Sequence, residues 1–297
     1  MSILNRPSDG LLSVLIALRR AILAFGAQPE ADLLEFVAPA SVVPDGKGDM
    51  AKKTLARWKQ LGFFTEEGGL IKLGSTIDSI RVDDSNSLRA AILRLVLTAE
   101  NNSGILEAGG SDAEGSKASD CTRAISWTLA QEVYAFPATY KGVESLQRDQ
   151  GVQPRVFAND TRWAGFAEWA VFLGVGWTAT KLPFTPCPAF AVRSVLEDVF
   201  SDASELPQGE FFRRLASSLP VVDGGSYRLA VEAQIERPWR TQLANEVSLS
   251  LSAALLTLEA QGILRIEMRS DAPSRTLLGR GGRESRSVSH FLRQGTK

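Results

Sequence analysis

A mainly α-helical chain finished with short β-hairpins is the fold class this sequence predicts, and three observations predict it. Apolar residues recur at helical spacing through most of the 297 residues. A helix, a glycine stop and an apolar strand start occur twice, as KTLARWKQLGFF and as AALLTLEAQGIL. Stretches rich in polar residues and Gly at 101–120, and in Pro at 182–188, interrupt the pattern. Two helices followed by a helix, a Gly stop and a hairpin outline a winged helix-turn-helix. The expected architecture is therefore mainly α, in four parts. These are an N-terminal winged helix over 1–82, a central helical domain over 83–182 with a flexible loop at 101–118, a second winged-helix-like domain over 183–280, and a basic tail over 281–297.

The first helix is expected from about Leu11 to Phe25, with Leu12, Leu15, Ile16, Arg19, Ile22 and Leu23 in rhythm and Gly26 ending it. Pro29 opens the second, about Glu30 to Ala38, where its missing N–H does no harm. The loop Pro44 to Gly48 leads to the third helix, N-capped by Asp49 and carrying Leu55, Trp58 and Leu61 on one side. Gly62 stops it. Phe63-Phe64 and Leu70 to Leu73 then read as the wing, around the turn Glu66-Glu67-Gly68-Gly69.

Leu88 to Glu100, Ala118 to Tyr134 and Tyr140 to Gln150 read as further helices. Residues 161–177, TRWAGFAEWAVFLGVGW, hold three of the six tryptophans, and Trp163, Phe166, Ala167, Ala170, Leu173 and Trp177 share a side. An aromatic stripe of this kind is ordinarily core. The alternative is an open groove where a base stacks beside Arg155, Arg162 or Lys181. After the Pro-rich linker come helices at about Ala189 to Phe200, Pro207 to Ser218, Ser226 to Ile235 and Leu249 to Gln261. Two strands, Ile263 to Arg269 and Ser274 to Leu278, then close around Ser270 to Pro273.

Composition narrows the function classes. With a net charge of −1, nucleic-acid binding would have to come from local patches. Cys121 and Cys187 lack metal-type spacing and read as free, partly buried thiols of a cytoplasmic protein. The apolar N-terminus ends in Arg19-Arg20 without a cleavage site, and no stretch reaches the ~20 apolar residues of a membrane span. The single histidine, His290, leaves no Ser-His-Asp constellation or HExxH helix. No GxxxxGK[ST] is present, and Asp45-Gly46-Lys47 lies in a turn, whereas a nuclease metal site holds its acid and lysine on a strand. The expectation is a non-enzyme without cofactor or metal.

The candidate nucleic-acid-binding residues are Lys47, Lys52, Lys53, Arg57, Lys59 and Gln60 around the third helix, with Arg280, Arg283 and Arg286 from the tail. A third helix lies in the major groove while backbone amides and the wing hold phosphates. The same charges suit an ordinary solvated helix face, and the acidic Glu66-Glu67 would repel phosphate. The second module's equivalent helix, 249–261, is nearly uncharged, which suits protein docking. The tail reads either as a basic arm that orders on phosphate or as a solvated terminus.

MSILNRPSDGLLSVLIAL at the N-terminus, RWAGFAEWAVFLGVGW in the middle and P-x-P-A-x-A-x-R over Pro186 to Arg193 together resemble DpdG-type proteins. Those are accessory proteins encoded in bacterial islands that place 7-deazaguanine bases in DNA and restrict DNA lacking them. The resemblance implies a subunit of a modification-dependent defence system, acting with larger nuclease or helicase partners, and it supplies no catalytic residues. Three functions are consistent with the sequence: a non-enzymatic subunit binding duplex DNA through a winged helix, a protein-docking scaffold, and a stand-alone winged-helix transcription regulator.

Overall fold

The structure is a computed structural model that describes residues 3–4, 11–41, 49–105, 117–179 and 182–294. It begins with α1 (Leu12–Phe25), β1 (Gln28–Pro29), α2 (Glu30–Val37), α3 (Asp49–Gln60), β2 (Phe64–Glu67), β3 (Leu70–Leu73), α4 (Ser75–Asp78) and α5 (Ser85–Leu97). Next come α6 (Ser119–Leu129), α7 (Tyr140–Asp149), α8 (Asp160–Leu173), β4 (Gly176–Ala179) and β5 (Leu182–Pro186). The remainder is α9 (Ala189–Phe200), β6 (Glu205–Pro207), α10 (Gln208–Ser218), α11 (Ser226–Glu232), β7 (Glu246–Val247) and α12 (Leu249–Ala260), followed by β8 (Leu264–Glu267), β9 (Arg275–Leu278), β10 (Glu284–Val288) and β11 (His290–Arg293). The fold is mainly α with small sheets. Among the described residues no helix is long and apolar enough to cross a membrane.

The chain forms two compact units, Met1–Cys121 with Phe157–Trp169, and Thr122–Val156 with Ala170–Lys297. The stretch 83–182, expected as one central domain, is divided between them.

In the first unit, α3 buries Ala51, Thr54, Leu55 and Trp58 along one stripe, and Leu61 continues it. The helix ends because Gly62 takes φ 88°, a left-handed conformation open to glycine at little cost. The Gly62 N–H then bonds to the Lys59 carbonyl at 3.0 Å and the Phe63 N–H to the Trp58 carbonyl at 2.9 Å, a Schellman close. That reversal starts β2 directly under the helix. The β2–β3 turn is Gly68-Gly69 alone, both at positive φ, as a tight hairpin requires. The strand therefore runs through Glu66-Glu67, which the sequence reading placed in the turn. β1 pairs with β3, giving a three-stranded antiparallel sheet in the order β1-β3-β2.

The aromatic stripe of α8 is core, as expected. Within this unit Trp163 is 7% exposed, and Phe166 and Trp169 are fully buried. Trp169 lies 5.2 Å from Trp58 between ring centres, and Phe157 lies 5.2 Å from Trp163 and 5.0 Å from Phe166. Asn159 caps the helix, its Oδ1 accepting from the Arg162 N–H at 2.9 Å. The helix ends at Leu173, however, and Trp177 belongs to β4, where it is 42% exposed.

The second unit repeats the first unit's order with two insertions. β6 leads into α10 as β1 leads into α2, and α12 closes on Gly262 with the same two backbone bonds, Gly262 to Glu259 and Ile263 to Leu258, each 2.9 Å. The sheet order β6-β11-β8 matches β1-β3-β2. One insertion, between α10 and α12, holds α11 and β7. The other, between β8 and β11, holds β9 and β10. Together they form a second sheet in the order β10-β9-β7. Three expectations are corrected here. The strands at 263–269 and 274–278 do not pair with each other: β8 pairs with β11, and β9 with β10 and β7. Residues 284–288 and 290–293 of the expected tail are strands, and Phe291, at the centre of its sheet, stacks on Phe211 at 3.9 Å. The expected Pro-rich linker is β5, whose prolines are tolerated because the β4–β5 pair has only edge strands.

Trp163→Ala is expected to cost about 3–5 kcal/mol of stability, read as a lower midpoint in urea with an unchanged slope. On α10, hydrogen bonds from Arg213 and then Arg214 hold the half-buried Glu210 carboxyl down at about 2. Their stabilising effect is complete above the ordinary carboxylate range and disappears as pH falls towards 2. An NMR titration should place the Glu210 midpoint there, and replacing both arginines with Ala should return it to the ordinary range.

Candidate nucleic-acid interface

The third helix presents fewer cations than its sequence suggests. Lys52, Lys53 and Gln60 are exposed. Arg57 is 2% exposed. It sits between Thr54 and Leu61 in helical register, on the flank of the buried stripe, and donates from Nη1 to Gln60 Oε1 at 3.2 Å and to the Lys117 carbonyl at 3.5 Å. It is a core residue, and a phosphate could not reach it without unpacking α3. A stripe counted from Leu55, Trp58 and Leu61 alone is too narrow to show this; Ala51 and Thr54 widen it to include that flank.

Lys59 is also occupied. Its Nζ lies 2.5 Å from Glu66 Oε2 and 3.5 Å from Glu30 Oε2. The hydrogen bond to Glu66, reinforced by the charges of both carboxylates, raises its pKa against partial burial. Lys72 pairs with Glu67 at 2.5 Å, and this hydrogen bond holds the Glu67 carboxyl below its usual range. The acidic wing tip expected to repel phosphate is thus neutralised by two lysines of its own module. Sequence reasoning missed this because Glu66 reaches back seven residues to α3 while Glu67 reaches across the hairpin. Lys53 keeps only a loose contact with Asp49, 3.9 Å apart and largely exposed. Lys47 lies outside the described residues.

The expected tail arginines lie on a hairpin of the second unit. Between β9 and β10 the chain turns over Gly279 to Arg283, with the Gly279 N–H bonded to the Arg283 carbonyl at 2.8 Å and the Gly282 N–H to the Gly279 carbonyl at 3.0 Å. Arg240 Nη1 pins the turn by donating to the Gly282 carbonyl at 2.7 Å. Arg280 and Arg283 flank this turn, both exposed and, among the described residues, without a carboxylate partner. Arg286 differs: it pairs with Glu259 at 2.6 Å and donates to the Ile266 carbonyl. It therefore ties β10 to α12 and β8, so it is structural. Of the residues expected to bind nucleic acid, Lys52 with Lys53 in one unit and Arg280 with Arg283 in the other are the exposed charges not tied into close ion pairs.

Some titratable groups elsewhere in the structure are internal. Arg123 donates to the Pro154 carbonyl at 2.5 Å, and burial lowers its pKa to about 10. Cys121 is buried and Cys187 half-buried, both free, and burial raises both thiols. Among the described residues no three His, Cys, Asp or Glu side chains are grouped to hold a metal ion.

Of the three stretches that carry the resemblance noted above, the first includes the start of α1, the second most of α8 and the start of β4, and the third joins β5 to α9. A family model described as DpdG-like matches residues 1–272. The chain belongs to the DpdG-like family. That membership associates the DpdG-like chain with the Dpd system of 7-deazaguanine DNA modification and with a multi-subunit setting. No curated protein and no solved structure matches it.

Burial of Arg57 makes a distinct expectation. Arg57→Ala removes a buried side chain from the flank of the α3 stripe and should cost about 1–3 kcal/mol of stability, whereas Lys52→Ala should leave the melting temperature within about a degree. Differential scanning fluorimetry of the two variants distinguishes a core arginine from a surface one.

Proposed function

We propose that this chain is a non-enzymatic, DNA-associated subunit of the 7-deazaguanine modification and restriction system, with its first module acting as a winged helix on duplex phosphate. The observation that carries this reading is α3, buried along one stripe against its module while Lys52 and Lys53 face solvent. The module's helix, strand and sheet order, with the β2–β3 hairpin as the wing, supports it. So does the neutralised wing tip, which removes a local repulsion that would otherwise oppose phosphate. The Arg280–Arg283 turn offers a second phosphate contact, and an arginine on a short pinned hairpin suits that role.

The reading is tested by anisotropy titration of a fluorescent duplex across a salt series. Binding should weaken steeply with salt, and the slope of log K against log salt should fall by about 0.9 for each phosphate contact removed. Lys52→Glu with Lys53→Glu should lower affinity roughly tenfold or more at moderate salt, and Arg280→Glu with Arg283→Glu should act in the same direction. Folded double variants that bind as well as the parent would reject the proposal.

Two observations favour a second reading, a docking scaffold within the same system. α12, the counterpart of α3, is uncharged apart from Glu259 and buries seven residues in its own unit, so it has no basic face to offer a groove. On the first unit, Phe25 and Phe36 stack at 4.7 Å while remaining 59% and 50% exposed. Co-elution with a neighbouring subunit that Phe25→Ser and Phe36→Ser abolish, without salt-sensitive DNA binding, selects the scaffold.

A further inference from the structure

The second unit contains a cavity of about 410 Å³, within the roughly 300–1,000 Å³ typical of small-molecule sites. Its apolar part includes Trp239, Leu229 and Leu243. Trp239 is fixed by its indole N–H, which donates to the Ala130 carbonyl at 2.9 Å. Leu229 and Leu243 come from different segments, α11 and the loop before β7, yet both line this cavity and remain 55% and 58% exposed. Two large aliphatic side chains left in water at one cavity are a feature that an occupant would relieve.

The charged residues that line it differ in their state. Glu246 is held by Arg240 at 2.5 Å and by the Leu243 N–H at 2.9 Å. Glu232 is held by Arg228 at 2.6 Å. Asp223 Oδ2 accepts from the Ser248 N–H at 2.6 Å and from Gln242 Nε2 at 3.2 Å, while its buried Oδ1 accepts no hydrogen bond among the described residues. Arg275 alone among these charges lacks such a partner: among the described residues no carboxylate lies within ion-pair distance of it. Its guanidinium carbon rests 4.9 Å from the centre of the Phe212 ring, which supports the side chain from one side and leaves its donors uncommitted. Arg275 also lines an adjoining cavity of about 460 Å³, together with Asp223 and Gly224.

We propose that this cavity binds a small organic anion, its carboxylate or phosphate oxygens on Arg275 and its apolar body against Trp239, Leu229 and Leu243. A guanidinium is matched in shape to a planar oxyanion, and among the described residues Arg275 is the lining cation with no carboxylate of its own. None of the cations assigned to DNA lines this cavity, and the substitutions that test it leave them unchanged, so the two proposals fail independently.

A charge series on one apolar body tests it, using the full chain and isothermal titration. Indole-3-propionate is expected to bind saturably, and tryptamine, with the same ring and the opposite charge, roughly tenfold or more weakly. Arg275→Gln should erase that difference. Leu229→Asn with Leu243→Asn, both at exposed positions, should weaken indole-3-propionate while leaving the melting temperature in place. The proposal is overturned if indole-3-propionate shows no saturable binding up to about 10 mM, if tryptamine binds equally well, or if a folded Arg275→Gln chain binds the anion as the parent does.

Discussion

Where α3 ends, the Phe63 N–H reaches back to the Trp58 carbonyl and the chain reverses through Gly62. This turn sets the distance between helix and hairpin, and with it the aromatic core. Phe63 meets Trp58 edge-on at 5.6 Å, and Trp58 in turn meets Trp169 from the far end of the unit's second segment. Each of these large side chains is worth about 1.5–3 kcal/mol when fully buried, so their mutual placement contributes substantially to the unit's stability. A β-branched residue at position 62 would have to adopt a conformation that costs it dearly, and the strand would leave the helix at another angle. The same device recurs at Gly262. Both sheets are seeded the same way.

Local periodicity made most of the helices legible. α1, α3, α9 and α12 begin and end within a residue or two of where apolar spacing, Gly stops and caps placed them. The repeated helix–Gly–strand unit was legible for the same reason, since all its signals lie within twelve residues. The partner of β8 was not. An insertion of about twenty residues separates it from β11, and the nearest strand in sequence, β9, has an equally good pattern. Strand pairing over such a distance is settled by the core it covers, here Phe211 and Phe291, which no local rule can weigh. The arginines of 280–293 looked like a tail because charge outnumbers apolar residues there; the strands are set by Val288, Phe291 and backbone pairing.

The candidate interface was legible as a list of residue types and not as a surface. Arg57, Lys59 and Arg286 are basic residues whose charges serve the fold, one in the core and two against carboxylates. Sequence cannot separate these from Lys52 and Arg283, because the deciding partners, Glu66, Glu259 and the Lys117 carbonyl, come from elsewhere in the chain. A net charge of −1 conceals the same fact at larger scale. Many of the positive charges have a negative neighbour, and the few that do not are where an external anion would be felt.

The two units are interleaved along the chain, which passes from one to the other after residues 121, 156 and 169. An expressed fragment cut at 82, where the hairpin module ends, would keep α3 and both its exposed lysines but lose Trp169 and Phe157. Trp58 would then face water on the side where an indole belongs. Such a fragment would report the behaviour of a half-open core and not of α3 as the full chain holds it. Dissection by truncation is therefore the wrong tool for this molecule, and point substitution in the full chain the right one.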